Sequence, residues 1–147
     1  MADTSFLNWP FFEERHRTLA ASLDDWAAKN LCAIDHVDTD NACRALVAAL
    51  GQGGWLDHAA VDPSGDATLD VRTLCLIRET LARHDGLADF SFAMQGLGTC
   101  AISLFGSDAQ KADWLPKIRV GTAISAFALT EPQSGSDVAN STMTATL

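Results

Sequence analysis

Apolar residues recur at intervals of three and four along most of this chain, the spacing of one helical face. After a loose arm at residues 1–8, the pattern predicts a helix that starts near Pro10 and fades near Asn30. Leu19, Leu23, Trp26 and Ala27 form its apolar stripe, and Glu13, Glu14, Arg15, Arg17, Asp24 and Asp25 lie mostly outside it. A second helix is capped by Asp38 or Asp40 and runs to Leu50, with Leu46, Val47 and Leu50 on its apolar side and Gly51 as terminator. Gly53-Gly54-Trp55-Leu56 then turns back onto the core, and residues 57–68, with Pro63, Ser64, Gly65 and Asp66, read as a loop. Asp70 is placed to cap a third helix whose inner face is Val71, Leu74, Ile77 and Leu81 and whose outer face is Arg72, Arg78, Glu79 and Arg83; Asp85-Gly86 ends it. From Ala88 to Phe105 the chain is apolar almost all round, which predicts a helix in the centre of a bundle. Ser107 opens another helix, with Gln110 completing a capping box; Trp114, Leu115 and Ile118 are expected inside and Gly121 at its end.

After Gly121 the period changes. Ile124, Ala126 and Ala128 alternate with Ser125, Phe127 and Leu129, which predicts a strand, and Thr142 to Leu147 reads as the start of a second one. Between them the apolar run becomes a tight polar loop, Thr130-Glu131-Pro132-Gln133-Ser134-Gly135-Ser136-Asp137. Pro132 fixes one backbone angle and Gly135 permits a positive one. Thr130, Ser134 and Ser136 supply hydroxyls, while Glu131 and Asp137 are suited to bracing the loop through backbone hydrogen bonds. A strand edge opening into such a loop suits a flat polar ring that needs donors along one side. The bland alternative is an ordinary turn leaving a strand. The expected fold class is mainly α, a helical bundle over residues 1–122 followed over 123–147 by the first strands of a β-domain.

The length of 147 residues suits a single domain, and an apolar share of 48% suits a globular one. Ten basic against 19 acidic residues, a net charge of −9, argue against nucleic acid or an anionic membrane as the main partner. No apolar segment is long enough to span a bilayer, and the N-terminus lacks the basic start and apolar run of a secretory signal, so the expected location is cytoplasmic. Cys32, Cys43, Cys75 and Cys100 have neither metal-ligand nor redox spacing and read as small buried residues in a reducing compartment.

Other candidate chemistry is thin. Gly96-Leu97-Gly98-Thr99-Cys100-Ala101 matches G-x-G-x-x-A, but a helical stretch precedes it instead of a strand, so close helix packing explains it better than dinucleotide binding. His16, His36, His58 and His84 fall on expected helix ends or loops, no two at i, i+4, and read as surface or capping residues; no metal site is expected. No nucleophile elbow surrounds Ser136, and no phosphate loop is present.

Ala128-Leu129-Thr130-Glu131-Pro132 followed by Gly135-Ser136-Asp137 resembles the flavin-loop signature of the acyl-CoA dehydrogenases. Ser107-Asp108-Ala109-Gln110-Lys111, then Trp114-Leu115-Pro116 and Gly121, resembles the block that precedes the signature in that family, at the expected distance. Gln133-Ser134 replaces a smaller pair common in the family, and Phe127 is not its most usual residue there. The likeness extends loosely over the whole chain as the family's helical N-terminal domain. It implies an FAD-dependent oxidoreductase of fatty acid metabolism that introduces an α,β double bond into an acyl-CoA thioester. It implies FAD contacts at Phe127, Leu129, Thr130, Gly135 and Ser136, and acyl-CoA contacts at Ser136, Gly98 and Thr99. The family's base is a glutamate on a C-terminal helical domain that nothing here matches, so no catalytic residue is assigned and Glu79 and Glu131 are not promoted to that role. The chain by itself is therefore expected to be inactive, a fragment or one piece of a split enzyme. Expected partners are the acyl-CoA, an electron-transfer acceptor protein, and either the remaining C-terminal part or a homologous subunit in a homo- or hetero-oligomer. Two alternatives stay open: a related flavoenzyme acting on a carrier-bound acyl group or as a monooxygenase, and a non-catalytic helical subunit.

Overall fold

A computed structural model describes residues 3–60 and 69–146. Within them the chain forms α1 (Glu14–Asn30), α2 (Thr39–Gln52), α3 (Val71–His84), α4 (Gly86–Phe105) and α5 (Asp108–Arg119), with short 3-10 turns at Ser5–Asn8, Trp55–His58 and Val138–Asn140. The first turn lies within the expected loose arm, and α1 starts after it at Glu14, later than Pro10. Most of the expected loop over 57–68 lies outside the described residues.

The helix ends follow their local chemistry. Asp38 caps α2 by accepting from Asn41 N, and Asp70 caps α3 by accepting from Arg72 N. Asp85 both closes α3 and caps α4, accepting from Leu87 N and Ala88 N. Ser107 and Gln110 form the expected capping box on α5. Gly51 does not stop α2, which runs on to Gln52; a Cβ there would sit 2.4 Å from the Val120 carbonyl carbon, so this glycine lets the end of α5 lie against α2. Gly121 does turn the chain, with φ +75°.

One apolar cluster joins Leu23, Ala27, Leu46, Val47, Leu50, Leu56, Ile77, Leu81, Ala88 and Phe92, with Trp26 and Trp55 edge-to-face against it. α4 contacts α2, α3 and α5, so its central place is as expected. Its all-round burial is not. Phe90, Leu97 and Leu104, spaced seven apart on one face, are about half exposed, and Phe105 is 85% exposed. Three neighbouring helices cover only part of one helix, and nothing among the described residues covers the rest. Trp114 likewise faces outward, its ring stacked under the Lys117 ammonium, and Val71 is exposed while Leu76 takes a core position instead. The cysteines also depart from expectation: Cys32 and Cys75 are exposed, Cys43 and Cys100 half-buried, and none is in a disulfide.

The strands expected at 124–129 and from Thr142 are absent among the described residues. Only an isolated antiparallel bridge joins Glu131 and Ser134. A strand needs an extended neighbour to share its ladder of hydrogen bonds, and the backbone beside this segment, at Gly98, is that of helix α4. The fold is thus mainly α, as expected.

Candidate functional site

Gln95 sets where the chain leaves the helical core. It lies on the α4 face that holds Phe92 and Thr99 and is 1% exposed. Its side-chain Nε2 donates to Ala123 O at 3.0 Å, and its Oε1 accepts from Ser125 N at 2.6 Å. Ser125 Oγ lies 2.9 Å from Gln95 O and 3.0 Å from Gln95 Oε1. The Gly98 position lets the two backbones approach: a Cβ there would stand 2.8 Å from Ala126 N and O. Thr99 is fully buried, and its hydroxyl donates to the Gln95 carbonyl. Gly98 and Thr99 therefore sit at the contact between α4 and residues 123–126.

Beyond that contact the expected loop residues come together at the surface. Phe127 and Leu129 are about half exposed, and Thr130, Gly135 and Ser136 are exposed. The amides of Phe127, Leu129 and Thr130 and the hydroxyls of Thr130 and Ser136 have no hydrogen-bond partner among the described residues. Ser134 differs from them. It is 3% exposed, bridges to Glu131 through both backbone groups, and gives its hydroxyl proton to the Asp137 carbonyl. Gly135 does not use a positive φ, the positive-φ glycines of the described residues being Gly54 and Gly121. The bend comes instead from Pro132 and the Glu131–Ser134 pair.

Glu131 is the brace the sequence suggested. Its carboxylate accepts from Thr142 N at 2.8 Å and Met143 N at 2.9 Å, and from the Gln133 amide at 2.5 Å. The Thr142 amide, then the Met143 amide, holds its carboxyl below the usual range. A carboxylate so committed is a poor proton acceptor for a ligand. Asp137 accepts from the Asn140 side chain.

An apolar cavity of about 290 Å³ lies between α3 and α4, lined by Leu74, Phe92, Ala93, Gly96, Leu97 and Cys100 among others. Arg78 stands at its edge, held by a two-point pair to Asp89 at 2.8 and 3.0 Å. Neither Gly98 nor Thr99 lines it.

A polar network far from the loop was not foreseen. His16, expected at the surface or as a cap, is fully buried. It does cap: its Nδ1 accepts from Glu13 N at 3.0 Å, which leaves Nε2 to donate to Asp70 at 3.1 Å. Burial would raise the Asp70 carboxyl, but bonds from His16, Thr73 and Arg72 outweigh it and hold the group at about 2. The network ties α1 to α3. His36 pairs with Asp85 and His84 with Asp24, while burial lowers the His58 imidazole. No cluster of possible metal ligands occurs among the described residues, and no helix there is long and apolar enough to cross a membrane.

Residues 13–122 match the family model described as "Acyl-CoA dehydrogenase, N-terminal domain". The chain belongs to the acyl-CoA dehydrogenase family. A probable acyl-CoA dehydrogenase of Bacillus subtilis is 32% identical over 142 residues, covering 92% of this chain and 23% of the relative. An acyl-CoA dehydrogenase of Mycobacterium tuberculosis is 29% identical over 147 residues, 99% of this chain and 37% of the relative. The fold also resembles the crystal structure of an acyl-CoA dehydrogenase from Bacillus anthracis complexed with FAD, with a TM-score of 0.71 and 29% identity over 97% of this chain and 27% of that one. The chain thus spans about a quarter to a third of the length of these family members.

Two positions that matter here were not singled out from the sequence, Gln95 and Ser125. The signal was present: a glutamine between Phe92 and Thr99 on the inward face of an apolar helix must find polar partners outside its own helix.

Proposed function

We propose that this chain contributes part of the FAD and acyl-CoA site of an acyl-CoA dehydrogenase, a flavin-dependent oxidation of an acyl thioester between its α and β carbons. The observation that carries the reading is a set of exposed groups between Phe127 and Ser136, the amides of Phe127, Leu129 and Thr130 and the hydroxyls of Thr130 and Ser136, that have no protein partner among the described residues. Groups left free in a loop that is otherwise fully braced suit a flat ring edge rich in acceptors and donors. Phe127, Leu129, Thr130, Gly135 and Ser136 would hold FAD, with Phe127 and Leu129 adding apolar contact beside the polar edge. When bound, FAD would supply the hydride acceptor.

The rest follows from this chain's own residues. Ser136, at the far end of the loop, is placed to serve both cofactor and acyl-CoA. Gly98 and Thr99 would act on the substrate side by holding α4 close to residues 123–126. The cavity between α3 and α4 offers room for an acyl chain. Glu131 orients the loop, and Glu79 lies on the exposed side of α3, so neither is assigned as base. In this reading residues 1–122 form the helical domain and 123–147 belong to the middle β-domain. An electron-transfer protein and further parts of the enzyme, or a homologous subunit, complete the system.

An absorbance spectrum of the assembled enzyme to which this chain contributes, followed by anaerobic addition of a panel of acyl-CoAs, tests this. A yellow protein whose flavin bands bleach with one or more acyl-CoAs is the expected result. A colourless protein that takes up no added FAD would overturn it.

A further inference from the structure

We infer that Gln95 is a positioning residue for the flavin, acting through residues 123–125; this rests on the function proposed above. Its primary amide pairs with Ala123 O and Ser125 N, the carbonyl and amide on either side of Ile124. A neighbouring strand in a parallel ladder offers one residue's N–H and C=O to the same two groups. The side chain of Gln95 therefore stands in for one residue of a strand. It fixes the direction and register of a segment that, past the Ala123 amide bonded to Lys117 O, no other backbone among the described residues pairs with.

The consequence lies two residues downstream. A chain can wander at most about 7 Å over two residues and about 14 Å over four, so pinning Ser125 limits where the Phe127 amide can go and, more loosely, the Leu129 amide. A slip of one residue would turn those amides to the opposite side. Ser125 Oγ reinforces the pin at Gln95 O, and Gly98 leaves the space for it. Burial raises the stakes: an amide 1% exposed that lost these partners would have no water to turn to.

The test uses Gln95→Met, which keeps the length and volume of the side chain but offers no amide, and Ser125→Ala, which removes only the hydroxyl and spares the core. Three quantities are read in the intact protein: FAD affinity, the visible absorption and circular dichroism of the bound flavin, and hydrogen exchange at the Ser125 amide without cofactor. Gln95→Met should weaken FAD about tenfold or more, as expected for two lost hydrogen bonds. It should also alter the spectrum of the flavin that still binds and speed exchange at Ser125. Ser125→Ala should move the same readouts in the same direction by less. If Gln95→Met does not fold, the smaller effects of Ser125→Ala decide the matter. A purely structural role would lower the unfolding midpoint while the folded protein kept its affinity and spectrum, and that result would overturn the inference. Wild-type protein that binds no FAD would instead overturn the function on which it rests. FAD bound equally well by all three proteins, with equal spectra, would overturn the role of Gln95 alone.

Discussion

Two glycines on α4, Gly96 and Gly98, offer a controlled comparison, because replacing each with alanine brings the same helical gain. In a helix interior that gain is about 1 kcal/mol. At Gly96 the new Cβ would meet Ala59 Cβ at 3.6 Å, an ordinary contact. Gly96→Ala should therefore stabilise the protein by up to about 1 kcal/mol. At Gly98 the new Cβ would stand 2.8 Å from Ala126 N and O, where ordinary contact begins at 3.4 Å, so residues 123–126 must retreat by about 0.6 Å (3.4 − 2.8). The Gln95–Ala123 bond, now 3.0 Å, would stretch to roughly 3.6 Å and cease to be one. With the Gln95–Ser125 bond also weakened, the loss is about 2 kcal/mol against the gain of about 1. Gly98→Ala should thus be destabilised by about 1 kcal/mol, and the two variants should differ by about 2. For a domain of this size that is a difference of roughly 4–8 °C in Tm, measured by far-UV circular dichroism. Gly98→Ala matching Gly96→Ala in stability would refute the claim that the chain crosses α4 in close contact at this point.

Two further outcomes follow from the polar networks. The Asp70 carboxyl, held at about 2 against an ordinary 3.8, has a depressed folded-state value, so its contribution is full above 3.8 and is lost as pH falls toward 2. That is about 2 kcal/mol, and urea unfolding of wild type and Asp70→Asn should converge by that amount across this window; parallel curves would refute it. Glu131→Ala should speed hydrogen exchange at the Thr142 and Met143 amides and weaken FAD while leaving the unfolding midpoint near wild type, because the carboxylate braces an exposed loop; retained protection at both amides would contradict the bracing role.

Most of the helical layout was legible because it depends on neighbours in sequence. Asp70, Ser107 with Gln110, and the Leu46-Val47-Leu50 face each make their structural case within four residues. What was not legible depends on contacts distant in sequence. A stretch as uniformly apolar as 88–105 contains no period to tell which side is covered, so the exposure of Phe90, Leu97 and Leu104 could not be read from it. His16 looked like a surface cap because its partner, Asp70, is 54 residues away. At the candidate site, the loop chemistry and the brace at Glu131 were legible, since Pro132, the hydroxyls and the acid lie side by side. The strand was not borne out, because alternation describes which faces could be buried and says nothing about whether a partner is present. Gln95 was passed over because its partners, Ala123 and Ser125, lie across the chain.

The central claim is that the bend from Phe127 to Ser136 holds the flavin. Its most direct test is FAD titration of the intact apoprotein beside a double variant, Thr130→Val with Ser136→Ala, which removes two exposed hydroxyls and touches no core contact. Wild type should bind FAD, and the double variant should bind it about tenfold or more weakly with an unchanged unfolding midpoint; equal affinity in the two proteins would contradict the account.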